Sequence, residues 1–416
     1  MHNRPIAAAV ALACVAAVTT GAEAQTLDQR VEALERDNAR MREQLGAQEE
    51  RIQGAPERVK ELEAALADKE QSGGNWFENI EIAGVVELEA GYIEPFDAPS
   101  ESDLALATFE LGIMSQIGSW VEVGASLLYE EDDTELDVDT AYITLYNPDV
   151  APVYFTGGQI YVPFGVYETN LVSDPLTLEL GETRETAALV GFEYQVDGLG
   201  GFGGSVYGFN GDTKLNGDNR ISSWGANLGY AWEQDDVGVA LAAGWINNLG
   251  DADGLQDALS DNRSAAFDEL VEGEDPRADT FSTDAIDRTG GWTVSLGVVA
   301  GRFNLIGEYL SATDHFDADS LAWKDKGAKP SAWNVELGYS FPAFGKDTVA
   351  AVAYQGTEEA VALGLPKESW LVGWSIGILE NTALSFEYRN DSDYSENQGG
   401  TGDSGNSFVA QLAVEF

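Results

Sequence analysis

The chain has 416 residues with 72 acidic against 22 basic side chains, a formal charge of −50. Charge this negative repels nucleic acid and other polyanions and draws cations in. One cysteine, Cys14, and two histidines, His2 and His315, exclude disulfides, Cys- or His-clustered metal centres and any catalytic site that needs a second histidine.

Residues 1–24 read as a secretory signal. His2 and Arg4 precede the apolar run from Ile6 to Val18, and Ala22-Glu23-Ala24 supplies a small-residue exit. The run is too short and wrongly flanked for a membrane-spanning helix. A lipoprotein reading through Cys14 is weaker, because Ala11-Leu12-Ala13 fits a lipobox poorly. Cleavage after Ala24 would remove Cys14 and His2. His315 then remains, in the polar stretch Thr313-Asp314-His315-Phe316-Asp317.

Residues 25–70 carry a heptad repeat. Val31, Asn38, Leu45, Ile52, Val59 and Leu66 fall at position a; Leu34, Met41 and Leu62 fall at position d. This spacing predicts a periplasmic coiled coil. The pairs Arg30–Glu35, Asp37–Arg42 and Arg58–Glu63 are opposite in charge, which favours a parallel assembly of like chains, and Asn38 would set its register. The alternative is one amphipathic helix packed on its own barrel. Gly54-Ala55-Pro56 interrupts the helix, and residues 71–76 form a linker.

From residue 77 to 416 the period changes to two. About sixteen runs alternate, as in Val121, Val123, Ala125, Leu127 and Tyr129 against Glu122 and Ser126. The last run puts Phe408, Ala410, Leu412, Val414 and the terminal Phe416 on one face, as outer-membrane barrels do. Short gaps such as Asn147-Pro148-Asp149 alternate with long ones at 163–185, 249–289, 314–330 and 393–404. Together these predict an all-β fold: an antiparallel transmembrane β-barrel of about sixteen strands, with both chain termini on the periplasmic side, preceded by the coiled-coil helix. Glu81, Glu87, Glu89, Glu122, Glu193, Arg302, Glu308, Glu336, Glu387 and Arg389 are expected on the lumen face.

The third external loop differs from the other long loops, which are rich in Asp, Ser, Gly and Asn. It interleaves apolar residues with charges, so it should pack against something. Two readings stay open: it folds into the lumen and constricts it, or it caps the rim or a subunit contact. Constriction candidates are Glu168, Asp174, Glu179, Glu182, Arg184 and Glu185.

The string Tyr161-Val162-Pro163-Phe164-Gly165, continuing through Ser173-Asp174-Pro175-Leu176-Thr177-Leu178-Glu179-Leu180-Gly181-Glu182-Thr183-Arg184-Glu185, resembles the LbtU siderophore-porin family. The distinctive similarity covers residues 161–212, and the architecture matches over most of the chain. The resemblance implies outer-membrane passage of a ferric siderophore through a 16-stranded barrel without a plug domain. It assigns no ligand-binding residue.

Lumen acids favour cations. A saline habitat, or divalent ions bridging loops to lipopolysaccharide, would explain the same charge. Asp251-Ala252-Asp253-Gly254 is like the start of a calcium loop, but the later ligand spacing is absent, so no metal site is assigned. The expected protein is therefore a porin, not an enzyme and without a cofactor. It sits in outer-membrane lipid and lipopolysaccharide as a homotrimer and passes a small solute or ferric siderophore. A general cation-selective porin and a barrel tethering the envelope through its coiled coil are the alternatives.

Overall fold

The structure, a computed structural model, describes residues 79–131, 134–211, 213, 220–273, 276, 281, 288–324 and 326–416. The expected signal, coiled coil and linker lie outside these residues.

Sixteen antiparallel strands close into a barrel. In chain order the wall begins with β1 (Ile80–Glu94), β2 (Glu101–Ile117), β3 (Val121–Glu130), β4 (Thr134–Tyr146), β5 (Val153–Tyr161) and β6 (Arg184–Val196). It continues with β7 (Gly200–Phe209), β8 (Ser223–Gln234), β9 (Val237–Ile246), β10 (Gly291–Ala300) and β11 (Phe303–Ala312). It ends with β14 (Ser331–Ala343), β15 (Lys346–Glu358), β16 (Glu368–Leu379), β17 (Thr382–Ser392) and β18 (Ser404–Glu415). The remaining pair, β12 (Ala322–Trp323) and β13 (Lys326–Gly327), is a two-stranded ladder within the β11–β14 connection. The alternating pattern carries no signal for a ladder that short.

The seam joins β1 to β18, with Leu88 opposite Leu412 and Tyr92 opposite Phe408. Phe416 extends it: its N–H donates to the Gly84 carbonyl at 3.0 Å, and its carbonyl accepts from the Gly84 N–H at 2.9 Å. A Cβ on Gly84 would stand 2.6 Å from Phe416 Cζ, so the terminal ring covers a site that only glycine leaves open. Closure leaves no free sheet edge, which is the condition for strands to cross hydrocarbon.

The outward face is aliphatic between two aromatic girdles. At the long-loop end lie the pairs Trp224–Trp245, Trp292–Tyr309 and Tyr354–Trp370, with ring centroids 4.7, 5.2 and 4.2 Å apart. At the other end lie Phe202–Tyr230 and Phe303–Tyr339, at 4.9 and 4.8 Å. Interfacial rings in this placement are what barrel walls of this kind require. Strands at the second end are joined by tight turns, with Asp235, Gly301, Gly345 and Asn381 at positive φ.

The apolar core is inside the barrel, near its long-loop end. Helix α1 (Leu176–Gly181) and helix α2 (Asp253–Glu272) belong to two long connections and contact each other. Leu176, Leu180, Leu249, Leu255, Leu259, Leu310, Phe316, Leu321 and Tyr394 are at most 3% exposed and form one cluster. The long connections at 249–289, 314–330 and 393–404 are rich in Asp, Ser, Gly and Asn. Their described parts nonetheless contribute a few apolar side chains each, and those converge.

Candidate functional site

The connection after β5 turns inward. Phe164 is 2% exposed, and its carbonyl oxygen lies 1.9 Å from where a Cβ on Gly244 of β9 would stand. From there the chain runs along the interior of the wall, held by one glutamate on each of three strands. The N–H groups of Val166 and Tyr167 donate to the two oxygens of Glu308 on β11, at 2.9 and 3.0 Å. The Thr169 hydroxyl and Asn170 N–H donate to Glu336 on β14, at 2.7 and 2.8 Å. The N–H groups of Val172 and Ser173 donate to one oxygen of Glu387 on β17, at 2.7 and 3.0 Å.

The returning half is fixed as well. Leu176 N–H donates to Gln355 Oε1 on β15 at 2.9 Å, and the Thr177 hydroxyl reaches Glu308 at 3.1 Å. Helix α1 spans one turn and a half, enough to put Leu176 and Leu180 on one face, 1% and 0% exposed. Leu171 presses on Gly373 of β16, where a Cβ would meet its side chain at 2.4 Å. The loop therefore lies against the wall from β9 to β17. Of the two readings left open by the sequence, the inward-folded one describes its path.

Glu308, Glu336 and Glu387 lie on the interior face but do not meet open water, being 7%, 0% and 2% exposed. Sequence reasoning placed them as lining charges and missed their partners. Hydrogen bonds from backbone N–H groups to a buried carboxylate replace the water it gave up. Glycines at interior positions of long strands are the one sequence signal that could have flagged the contact, since a strand gives up packing there only where something else approaches.

The rest of the interior face follows by register. Glu387 pairs with Val409, and Val409 with Gly91, so Glu81, Glu87 and Glu89 share the face of Glu387. Glu87 and Glu89 are half-buried, Glu81 is exposed, and Gln411 donates to Glu89 at 2.9 Å. Glu122 accepts from the Tyr142 hydroxyl at 3.3 Å, and Glu193 from Tyr146 at 3.4 Å. Arg389 Nε is paired with Asp391 at 2.8 Å. Arg302 departs from expectation. It sits in the Gly301-Arg302 turn and is exposed, because Gly301 takes positive φ and ends the strand before it.

The constriction candidates disperse. Glu168 is exposed on the loop, beside a small recess lined by Ala240, Ala242, Ser295 and Ile306. Asp174 is half-buried ahead of α1, and Glu179 lies within it. Glu182 ends that helix, and its carbonyl accepts from Asp253 N–H at 2.8 Å. Arg184 and Glu185 are the first residues of β6, not loop residues, because the ladder to β5 resumes at the Tyr161–Arg184 pair. Arg184 is bonded to Asp139 at 3.2 Å, and Tyr161 donates to the same carboxylate at 2.7 Å. Asp139, 5% exposed, was missed: β-bulges between β3 and β4 shift the alternation that would have shown its face.

Among the described residues, the sixteen wall strands contain three basic residues, Arg184, Lys346 and Arg389. The first two open their strands, and Arg389 is committed to Asp391. The acids of the interior face are carried by the other strands, since β5, β7, β9 and β10 contain none.

A closed sixteen-stranded barrel narrowed by an inward-folded loop is the architecture of porins. The fold is shared with an anion-selective porin of Comamonas acidovorans, at 13% identity and a TM-score of 0.52 over 81% of this chain and 99% of that one. It is also shared with the outer-membrane channel DcaP of Acinetobacter baumannii, at 13% identity and a TM-score of 0.50 over 81% and 97%. In sequence the chain is homologous to UPF0422 proteins. One from Legionella pneumophila strain Lens is 32% identical over 365 residues, 81% of this chain and 66% of the relative. One from Coxiella burnetii is 27% identical over 330 residues, 78% of this chain and 66% of the relative. The chain thus spans a little under two thirds of the length of these relatives. No family model matches it.

Proposed function

We propose that this chain is an outer-membrane porin giving passive or facilitated diffusion of small solutes, with a preference for cations and a ferric siderophore as cargo. The observation that carries the channel reading is the loop bound along the wall from β9 to β17 by Glu308, Glu336 and Glu387. It narrows the lumen on one side and leaves the acidic face of β1–β6 and β18 opposite. Cation preference is supported by the near absence of basic residues on the wall strands. The siderophore assignment is supported by the resemblance of residues 161–212 to the siderophore-porin family. A homotrimer, the periplasmic coiled coil and contact with lipopolysaccharide belong to the same reading, as does a lumen lined by Glu81, Glu87, Glu89, Glu122 and Glu193.

Purified protein in planar bilayers tests it. Stepwise conductance with a reversal potential of cation-selective sign is expected, and anion selectivity or no conductance would overturn the channel reading. A gene deletion should slow uptake of ferric siderophore. Normal uptake in the deletant would leave a general cation-selective porin.

A further inference from the structure

The interior of β3–β6 at the tight-turn end carries side chains that the loop does not use. Tyr142 and Tyr146 lie on β4, Tyr154 on β5, Glu122 on β3 and Glu193 on β6. Their positions converge by register: Tyr142 opposite Gly124, Tyr146 opposite Tyr154, and Tyr154 opposite Gly191. Two rings lie down across the neighbouring strand. A Cβ on Gly124 would stand 2.5 Å from Tyr142 Cζ, and one on Gly191 would stand 2.3 Å from Tyr154 Cζ. A ring laid over a glycine turns one face to the wall. Tyr142 and Tyr154 also touch the border of the apolar cluster, and all three tyrosines stay half-buried, so part of each ring remains open to the interior. Tyr146 meets Tyr154 edge-on, with centroids 5.8 Å apart.

The charge around these rings has one sign. The hydroxyls of Tyr142 and Tyr146 donate to Glu122 and Glu193 over long bonds of 3.3 and 3.4 Å, which leaves both carboxylates acceptor capacity. Glu193 is exposed and Glu122 half-buried. Among the described residues, β3, β4 and β5 contain no Lys or Arg, and the basic residue of β6, Arg184, is at the opposite end and bonded to Asp139. Tyrosine faces beside carboxylates, with no competing cation, are the surroundings that hold an organic ammonium group.

We infer that Tyr142, Tyr146 and Tyr154, with Glu122 and Glu193, form a binding site for organic ammonium ions in the exit vestibule of the lumen. The inference rests on the porin reading for its role as a step in passage, and not on the siderophore assignment. Aliphatic groups on the ammonium nitrogen would lie on the ring faces while Glu122 and Glu193 supply the counter-charge. Cargo with alkylated or multiple amine groups would be retained there over potassium, and neutral or anionic cargo would not.

Tetraethylammonium is the probe, titrated calorimetrically into the full chain in detergent and, separately, added to conducting channels. Saturable binding is expected, with potassium a weaker competitor and the neutral isostere tetraethylmethane derivative 3,3-diethylpentanol inert. Exchanging Tyr146 and Tyr154 for Leu should weaken binding about fivefold or more, while the Phe exchanges, which keep the ring faces, should retain it. Glu193→Gln, at an exposed position, should weaken it several-fold and flatten its salt dependence. Absence of saturable binding, or equal binding by the Leu, Phe and Glu193→Gln proteins, would overturn the site. Binding without conductance would uphold the site and overturn the channel reading, whereas conductance without binding would do the reverse.

Discussion

Two halves of the same barrel use glutamate in opposite ways. On β11, β14 and β17, Glu308, Glu336 and Glu387 are withdrawn from water and accept loop N–H groups. On β1, β3 and β6, Glu87, Glu89, Glu122 and Glu193 stay at least partly accessible and have side-chain partners at most. The residue type and its alternation are the same, and the strands are alike in length. What separates them is whether a segment distant in sequence arrives with unpaired N–H groups. One half positions the loop, and the other is left uncovered by it.

Breaking the covered half should give the largest effect. Glu336→Ala removes an acceptor that is 0% exposed and leaves the Asn170 N–H and the Thr169 hydroxyl proton without that acceptor, a loss of about 3 kcal/mol. The loop should leave the wall, lowering the midpoint of heat unfolding and changing the size cut-off for sugars in liposome swelling. Unchanged values for both would show that Glu336 does not hold the loop.

Next comes the glycine under the loop. Gly244→Ala places a Cβ 1.9 Å from the Phe164 carbonyl oxygen, and displacing that backbone costs about 2 kcal/mol. Noisier single-channel currents and a lower unfolding midpoint are expected, whereas the same exchange at Gly297, on a wall position with only van der Waals contact to Ala240 Cβ at 3.7 Å, should be nearly silent.

The open half should respond in selectivity and not in stability. Replacing Glu87 and Glu89 together by Gln should move the reversal potential towards zero, with stability changed by no more than about 0.5 kcal/mol. A stability loss as large as that of Glu336→Ala would erase the distinction between the two halves.

The smallest effect is expected at the mouth. Burial pushes the Tyr394 phenol above its ordinary value of 10.0, so the folded state favours the neutral form. Its contribution is full below pH 10 and is lost as pH rises through the higher folded value. Protection of residues 393–403 from proteolysis should therefore fall above pH 10, where the Thr357–Tyr394 bond of 2.7 Å and the Trp323 contact loosen. Tyr394→Phe should remove most of that pH dependence.

The sixteen wall strands were legible because each is long and carries its own alternation, and because long and short gaps alternate between them. Phe416 was legible for the same reason, since its face is set by the eight residues before it. Three kinds of feature were not. Asp139 was hidden by bulges that shift the period. The β12–β13 ladder was too short to show a period at all. The mouth cluster draws single apolar residues, such as Phe316, Leu321 and Tyr394, from connections whose composition is polar.

The sequence alone therefore determined the barrel and its strand number, because those depend on local periodicity and on the alternation of long and short gaps. The tertiary structure decided which inward glutamates are charges in a lumen and which are acceptors beneath a loop. That choice depends on contacts such as Asn170 to Glu336, separated by 166 residues, and no local pattern records where a distant backbone will come to rest.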